Sequence, residues 1–132
     1  MLKTTYYLQL TAYWTSRVSS SVILQKEIFI MTIMRLWHGE VSNEKADEYE
    51  RFMIERAAPD YGSVEGLSKL YFQRKDGDKT AHFLLVTLWD SIESIKKFAG
   101  DNPEIAKYYP EDDNFLLEKE KYVSMYEVFY EL

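Results

Sequence analysis

The apolar positions of this chain change their period several times, and each change marks an element. Thr32 to His38 is a short β-rich run that ends at Gly39, after which Ser42 or Asn43 can cap a helix through a side-chain oxygen. Ala46, Tyr49, Phe52, Met53 and Ala57 then recur at helical spacing. Glu44, Asp47, Glu48, Glu50, Arg51 and Glu55 form the wet side, and Pro59 predicts the end of the helix. Leu67 to Lys75 and Lys79 to Trp89 read as two strands of a hairpin joined through Asp76-Gly77, a pair suited to turns with positive φ. Asp90 and Glu93 make a capping-box pattern ahead of the stripe Ile92, Ile95, Phe98 and Ala99, which Gly100 stops. Pro103 opens a brief third helix carrying Ile105, Ala106, Tyr108 and Tyr109; Pro110 and Glu111-Asp112-Asp113 then interrupt order. The last strand, Lys121 to Tyr130, carries large side chains on both faces.

Strand, helix, strand, strand, helix, strand is the ferredoxin-like βαββαβ order of an α+β domain, an antiparallel sheet with its helices on one face. In the third strand Phe83, Leu85, Thr87 and Trp89 point one way while His82, Leu84, Val86 and Leu88 point the other. Helices can bury one of these rows. The other needs a partner, and three or four such side chains leaving water at roughly 1.5 to 3 kcal/mol each favour association after its entropy cost. The expected assembly is a homodimer through the sheet face, forming a dimeric α+β barrel.

Composition narrows the function. The 132 residues are 46% apolar and 29% charged, one domain's worth of core, and 16 Lys plus Arg against 22 Asp plus Glu give a net charge of -6 that disfavours nucleic acid. There is no cysteine, which removes thiolate chemistry and disulfides. Apolar runs such as Phe83 to Trp89, interrupted only by Thr87, are far short of the roughly 20 residues of a membrane helix. No membrane partner is expected, and the expected setting is cytoplasmic. Residues 1–30 differ in kind, being rich in Thr, Ser and Tyr and carrying Lys3, Arg17 and Lys26 against Glu27 alone. They read as an N-terminal extension, through an upstream start, an extra strand or a targeting segment, ahead of a domain at 31–132.

Five runs, Arg35-Leu-Trp-His38-Gly39, Thr87-Leu-Trp89-Asp-Ser91, Phe98-Ala-Gly100, Tyr108-Tyr-Pro-Glu-Asp112 and Tyr126-Glu-Val128, together resemble the antibiotic biosynthesis monooxygenase-like family of dimeric α+β barrels. The resemblance spans residues 31–132. It implies a pocket between sheet and helices in each subunit and, in some members, oxidation of phenolic or polycyclic aromatic molecules by O2 without metal or flavin. Haem-degrading relatives use an Asn on the first strand, a Trp ending the third and a downstream His. Trp89 matches the Trp, but Met34 precedes Arg35 and no His follows the second helix, so that chemistry does not carry over.

On these grounds the leading expectation is a cofactor-independent monooxygenase-like dimer that binds a small aromatic or quinol-type molecule in an apolar pocket, with a non-catalytic small-molecule-binding or stress-associated dimeric domain as the alternative. His38 is the candidate base, since an imidazole ordinarily titrates near neutral pH. Trp89 and one of Tyr108 or Tyr109 are expected to hold the ring. His82, on the row opposite Trp89, reads as an interface residue. Arg35 is expected to pair with a carboxylate such as Glu127, and Asp112 with Asp113 to form a solvated acidic loop. Two histidines without a cysteine match no zinc spacing, so neither a metal nor a cofactor is expected.

Overall fold

A computed structural model describes residues 31–132; the extension expected over 1–30 lies outside the described residues. Strand β1 is Ile33–Ser42. A helical segment follows as a 3-10 turn Asn43–Lys45, helix α1 Ala46–Phe52, a π turn Met53–Ala57 and helix α2 Ala58–Gly62. Strands β2 Leu67–Asp76 and β3 Thr80–Trp89 form the hairpin, α3 is Ile92–Ala99, a 3-10 turn spans Pro110–Asn114, and β4 is Ser124–Glu127. The sheet order is β2-β3-β1-β4, with every neighbouring pair antiparallel. This is the expected ferredoxin-like α+β architecture. Among the described residues no helix is long and apolar enough to cross a membrane.

Several local expectations are corrected. Gly39 does not end β1, which runs on to Ser42. A Cβ at Gly39 would collide with the indole of Trp37 and approach the Leu116 side chain at 2.9 Å, so the glycine makes room inside the strand for a large neighbour. Pro59 does not close the first helical segment. It sits in the first turn of α2, directly after the π turn, whose wider ladder accommodates a residue that has no N–H and crowds the preceding turn. Neither Ser42 nor Asn43 caps the segment through its oxygen; the Asn43 amide instead donates to the Gly77 carbonyl at 2.9 Å, tying the helix start to the hairpin turn. That turn has no positive φ at Asp76 or Gly77 and closes through Gly77 N–H to the Thr80 carbonyl at 2.8 Å.

In α3 the cap is Ser91, whose Oγ accepts from Ser94 N–H at 3.1 Å, while Asp90 accepts from the Ser91 and Ser94 hydroxyls. Those bonds hold the Asp90 carboxyl below its ordinary range. Gly100 does stop the helix, at φ 96. No helix forms over Pro103 to Tyr109; Ile105 makes an isolated bridge to Tyr122, and the helical turn falls at Pro110–Asn114, where order was expected to break. The final strand is four residues, not ten, because it pairs with Ile33–Leu36 and leaves the rest of that edge of β1 to an isolated bridge between Val41 and Leu116. The connection between these two patches passes His38, which places Glu120 beside it.

The core lies between the sheet and the helices. Ile33, Trp37, Val41, Phe83, Leu85 and Trp89 from the strands meet Ala46, Tyr49, Met53, Tyr61, Ile95 and Phe98. The predicted parity holds: Phe83, Leu85, Thr87 and Trp89 are all buried, while in this single chain Leu84 on the other row is 37% exposed.

Candidate functional site

The residues expected to share one site lie on two sides of the sheet. On the helix side Trp89 is fully buried, and its Nε1–H donates to Thr87 Oγ1 at 2.7 Å, which in turn donates to the Arg35 carbonyl at 3.2 Å. The Arg35 guanidinium is 1% exposed and gives its donors to the carbonyls of Pro103 at 3.1 Å and Ile105 at 3.0 Å. These carbonyls, and not Glu127, take the place of the expected carboxylate, and they anchor the non-helical segment to the sheet. Burial lowers the Arg35 proton affinity against the opposing pull of the Tyr61 phenol; burial also pushes Tyr61 up to about 12, against the pull of Arg35.

Tyr108 and Tyr109 diverge, as neighbouring side chains on one strand of chain must. Tyr109 points inward, and its hydroxyl donates to Asp60 Oδ2 at 2.6 Å beside Lys107, whose ammonium reaches the same oxygen at 2.8 Å. Arg56 lies 4.5 Å from the Tyr109 ring centre. Burial raises the Tyr109 phenol, reinforced by the Asp60 carboxylate, so it is a hydrogen-bond donor and not a proton source. Tyr108 packs edge-on against Trp37 at 6.1 Å and donates to the Glu120 carbonyl at 2.5 Å; burial lifts it to about 12. Asp112 is not a solvated loop residue. It is 2% exposed, accepts from Tyr49 Oη at 2.9 Å and Tyr109 N–H at 2.7 Å, and is raised chiefly by burial.

The space these groups enclose is small. A cavity of about 10 Å³ remains among Trp37, Tyr49, Tyr61, Lys107, Tyr109 and Asp112, room for about one water. Tyr109 therefore borders a space too small for a ligand at this point, and Trp89 packs in the core beside Phe98.

A larger apolar cleft of about 190 Å³ opens further along the same side, between the π turn and the edge strand β2. Met53, Ile54, Phe72, Phe83 and Leu85 form its walls, with Glu50, Gln73 and Arg74 among its lining. Arg74 is held by Asp76 at 2.6 Å, Asp47 at 2.8 Å and Glu50 at 3.0 Å, and these bonds raise its proton affinity further. None of the site residues expected from the sequence, His38, Trp89, Tyr108 or Tyr109, lines this cleft, although Met53, Phe83 and Leu85 were read as apolar-face positions; the π turn that shapes it leaves no signature in the apolar periodicity.

His38 is on the other face. Its Nδ1 is 3.2 Å from Glu120 Oε1 and its Nε2 is 3.0 Å from His82 Nδ1, the two rings lying 5.2 Å apart at 23°. His82 Nε2 is 3.8 Å from Glu40 Oε1, which accepts from Thr80 Oγ1 at 2.6 Å. His38 and Trp89 thus line no common cavity, whereas His38 and His82 form one unit beside an open cleft of about 440 Å³ that also has Gln73, Arg74, Lys75 and Leu84 in its lining. Strand parity alone places both imidazoles on this face, and that was the available signal for the pairing. Among the described residues no three His, Asp or Glu side chains are grouped to hold a metal ion.

No family model matches the chain, and no curated protein matches it. Among solved structures the chain is similar to a "putative antibiotic biosynthesis monooxygenase" from Bacillus cereus, at 17% identity and a TM-score of 0.47, over 79% of this chain and 98% of that one. The ferredoxin-like assignment rests on the strand order and pairing of this chain itself.

Proposed function

We propose that the protein is a homodimeric binding protein for a small, single-ring aromatic or similarly apolar molecule, seated in the cleft between the π turn and β2. The cleft's size and lining carry this reading: about 190 Å³ walled by Met53, Ile54, Phe72, Phe83 and Leu85, where an apolar cavity of about 150 Å³ accommodates benzene. Its ionisable groups, Arg74 and Glu50, are bonded to each other, so the cleft offers shape and a polar rim without a free base. A panel of single-ring aromatics should raise the melting temperature, and Ile54→Trp, which fills the cleft from a side chain that is 56% exposed, should abolish the rise. A rise that persists undiminished in Ile54→Trp overturns the assignment.

The dimer is supported by the open sheet face. Met34 and Leu36 sit opposite Leu88 and Val86, flanked by Tyr71 on β2 and Tyr126 on β4, which are 49% and 62% exposed in the single chain. Light scattering should find a two-chain particle, and Leu36→Asp should halve its mass while leaving the helical signal intact; a monomeric wild type refutes it. A second reading, oxidation of a quinol-type molecule by O2 without a cofactor, draws support from the carboxylate-held imidazole of His38. Oxygen uptake with hydroquinones and anthrones that disappears in His38→Ala would favour it over binding alone.

A further inference from the structure

We infer that His82, positioned by His38, is a proton-accepting site in the open-face cleft, for a small molecule bearing a weakly acidic hydroxyl group. Glu120 fixes the tautomers of the pair. A carboxylate accepts hydrogen bonds and donates none, so the contact at 3.2 Å requires the proton of neutral His38 to sit on Nδ1. His38 Nε2 is then a lone pair, and its partner at 3.0 Å, His82 Nδ1, must be the donor. That leaves the free lone pair of the whole unit on His82 Nε2, the nitrogen that faces Glu40 at 3.8 Å. The outer acceptor is therefore His82, the histidine read from sequence as an interface residue, and His38 is the positioning residue behind it.

The charged groups around the pair fit this use. A proton arriving at His82 Nε2 puts an N–H towards Glu40, and transfer of the Nδ1 proton to His38 Nε2 then shares the positive charge with the ring beside Glu120. One added proton is thus flanked by a carboxylate at each end; a second would meet a like charge. Lys75 lies opposite His82 in the β2–β3 register and lines the same cleft, and its ammonium supplies the counter-charge for the anion left behind. Leu84 gives the cleft an apolar surface, and Gln73 and Arg74 complete the lining, the guanidinium of Arg74 being committed to Asp47, Glu50 and Asp76. The step balances without an oxidant: the O–H bond of the ligand breaks, its proton goes to His82 Nε2, and the oxygen keeps the electron pair. The apolar half of the face, Met34, Leu36, Val86 and Leu88, lies towards the other end of β1 and β3.

Two measurements on the full chain test this. Imidazole 15N NMR should show both histidines in the Nδ1–H tautomer at a pH where they are neutral; an Nε2–H tautomer at His82 overturns the relay. The second uses 4-nitrophenol, whose anion absorbs at longer wavelength than the neutral form, added without oxygen at a pH below its own ionisation. Wild-type protein should bring up the anion band, and His82→Gln should cut the ionised fraction of bound probe about tenfold, one pKa unit, with a smaller loss in His38→Gln. Both imidazoles are half-buried on the sheet face and outside the core, so circular dichroism of the variants should match wild type. A probe that stays neutral when bound, an anion band that survives His82→Gln, or no binding at millimolar probe each overturns the inference. Run without O2 and in the Ile54→Trp background, where the apolar cleft is filled, the readout reports the open-face cleft alone, and its failure is separable from that of either functional reading above.

Discussion

The two faces of this sheet obey the same alternation of side chains and end in opposite states. On the covered face Trp89, Thr87, Leu85 and Phe83 are at most 3% exposed, and even the polar groups there are bonded: indole to hydroxyl, hydroxyl to carbonyl, guanidinium to two carbonyls. On the open face Leu84 is 37% exposed and the polar groups gather at one end as a chain of two carboxylates and two imidazoles. Chemistry that needs a proton to come and go belongs on the second face. The interior, filled by the chain's own aromatic rings, serves stability.

The sharpest way to break that contrast is to truncate one residue on each face. Trp89→Ala removes the largest fully buried side chain among the described residues and the donor to Thr87, and should cost about 3–5 kcal/mol in denaturant unfolding. Leu84→Ala, five residues away on the same strand, should cost a subunit that is not associated less than about 1 kcal/mol. Equal losses would mean that the open row is packed in solution by something other than an exchangeable partner.

Next in size is Gly39→Ala, a substitution that adds one methyl group to the covered face. With Trp37 and Leu116 already against that point, the added Cβ should cost about 1–3 kcal/mol by overpacking and move the Trp37 emission. A neutral result would show that the indole can swing aside and that the interior is looser than its 10 Å³ void implies.

How far the sequence foretold this contrast depends on whether a feature is local. Parity along β3, the hairpin and the Gly100 stop are set by neighbouring residues, and each was legible. The pairing of His38 with His82 was not, because β1 and β3 are separated by a helical segment and a strand, and their register follows from how these pack. Gly39 misled as a strand end because a glycine read alone does not reveal that Trp37 needs the space. Pro59 misled because the π turn that absorbs it has no pattern of its own. Trp89 was correctly placed on the buried row, where it packs beside Phe98, but strand parity fixes only the face and not what the indole meets there.

The smallest effect lies at the polar margin of the covered face, where two carboxylates near Tyr109 are shifted in opposite directions. For Asp60 burial alone would raise the carboxyl, but the bonds from Lys107 and Tyr109 outweigh it and hold it below its ordinary 3.8. Its contribution to stability is therefore present above that value and is lost as pH falls through the depressed folded value. Asp112 is raised instead, mainly by burial, so its ionisation costs more in the folded chain; its contribution is present below 3.8 and is lost as pH rises through the elevated folded value. Unfolding free energy followed from neutral to acid pH should then fall less steeply in Asp60→Asn than in wild type, since the amide still accepts from Tyr109 but has no charge to lose. Asp60 is about one-third exposed, so solvent screening keeps this change small. An acid limb as steep in Asp60→Asn as in wild type would place the pH sensitivity elsewhere and leave the Lys107–Asp60–Tyr109 cluster a packing feature of the covered face.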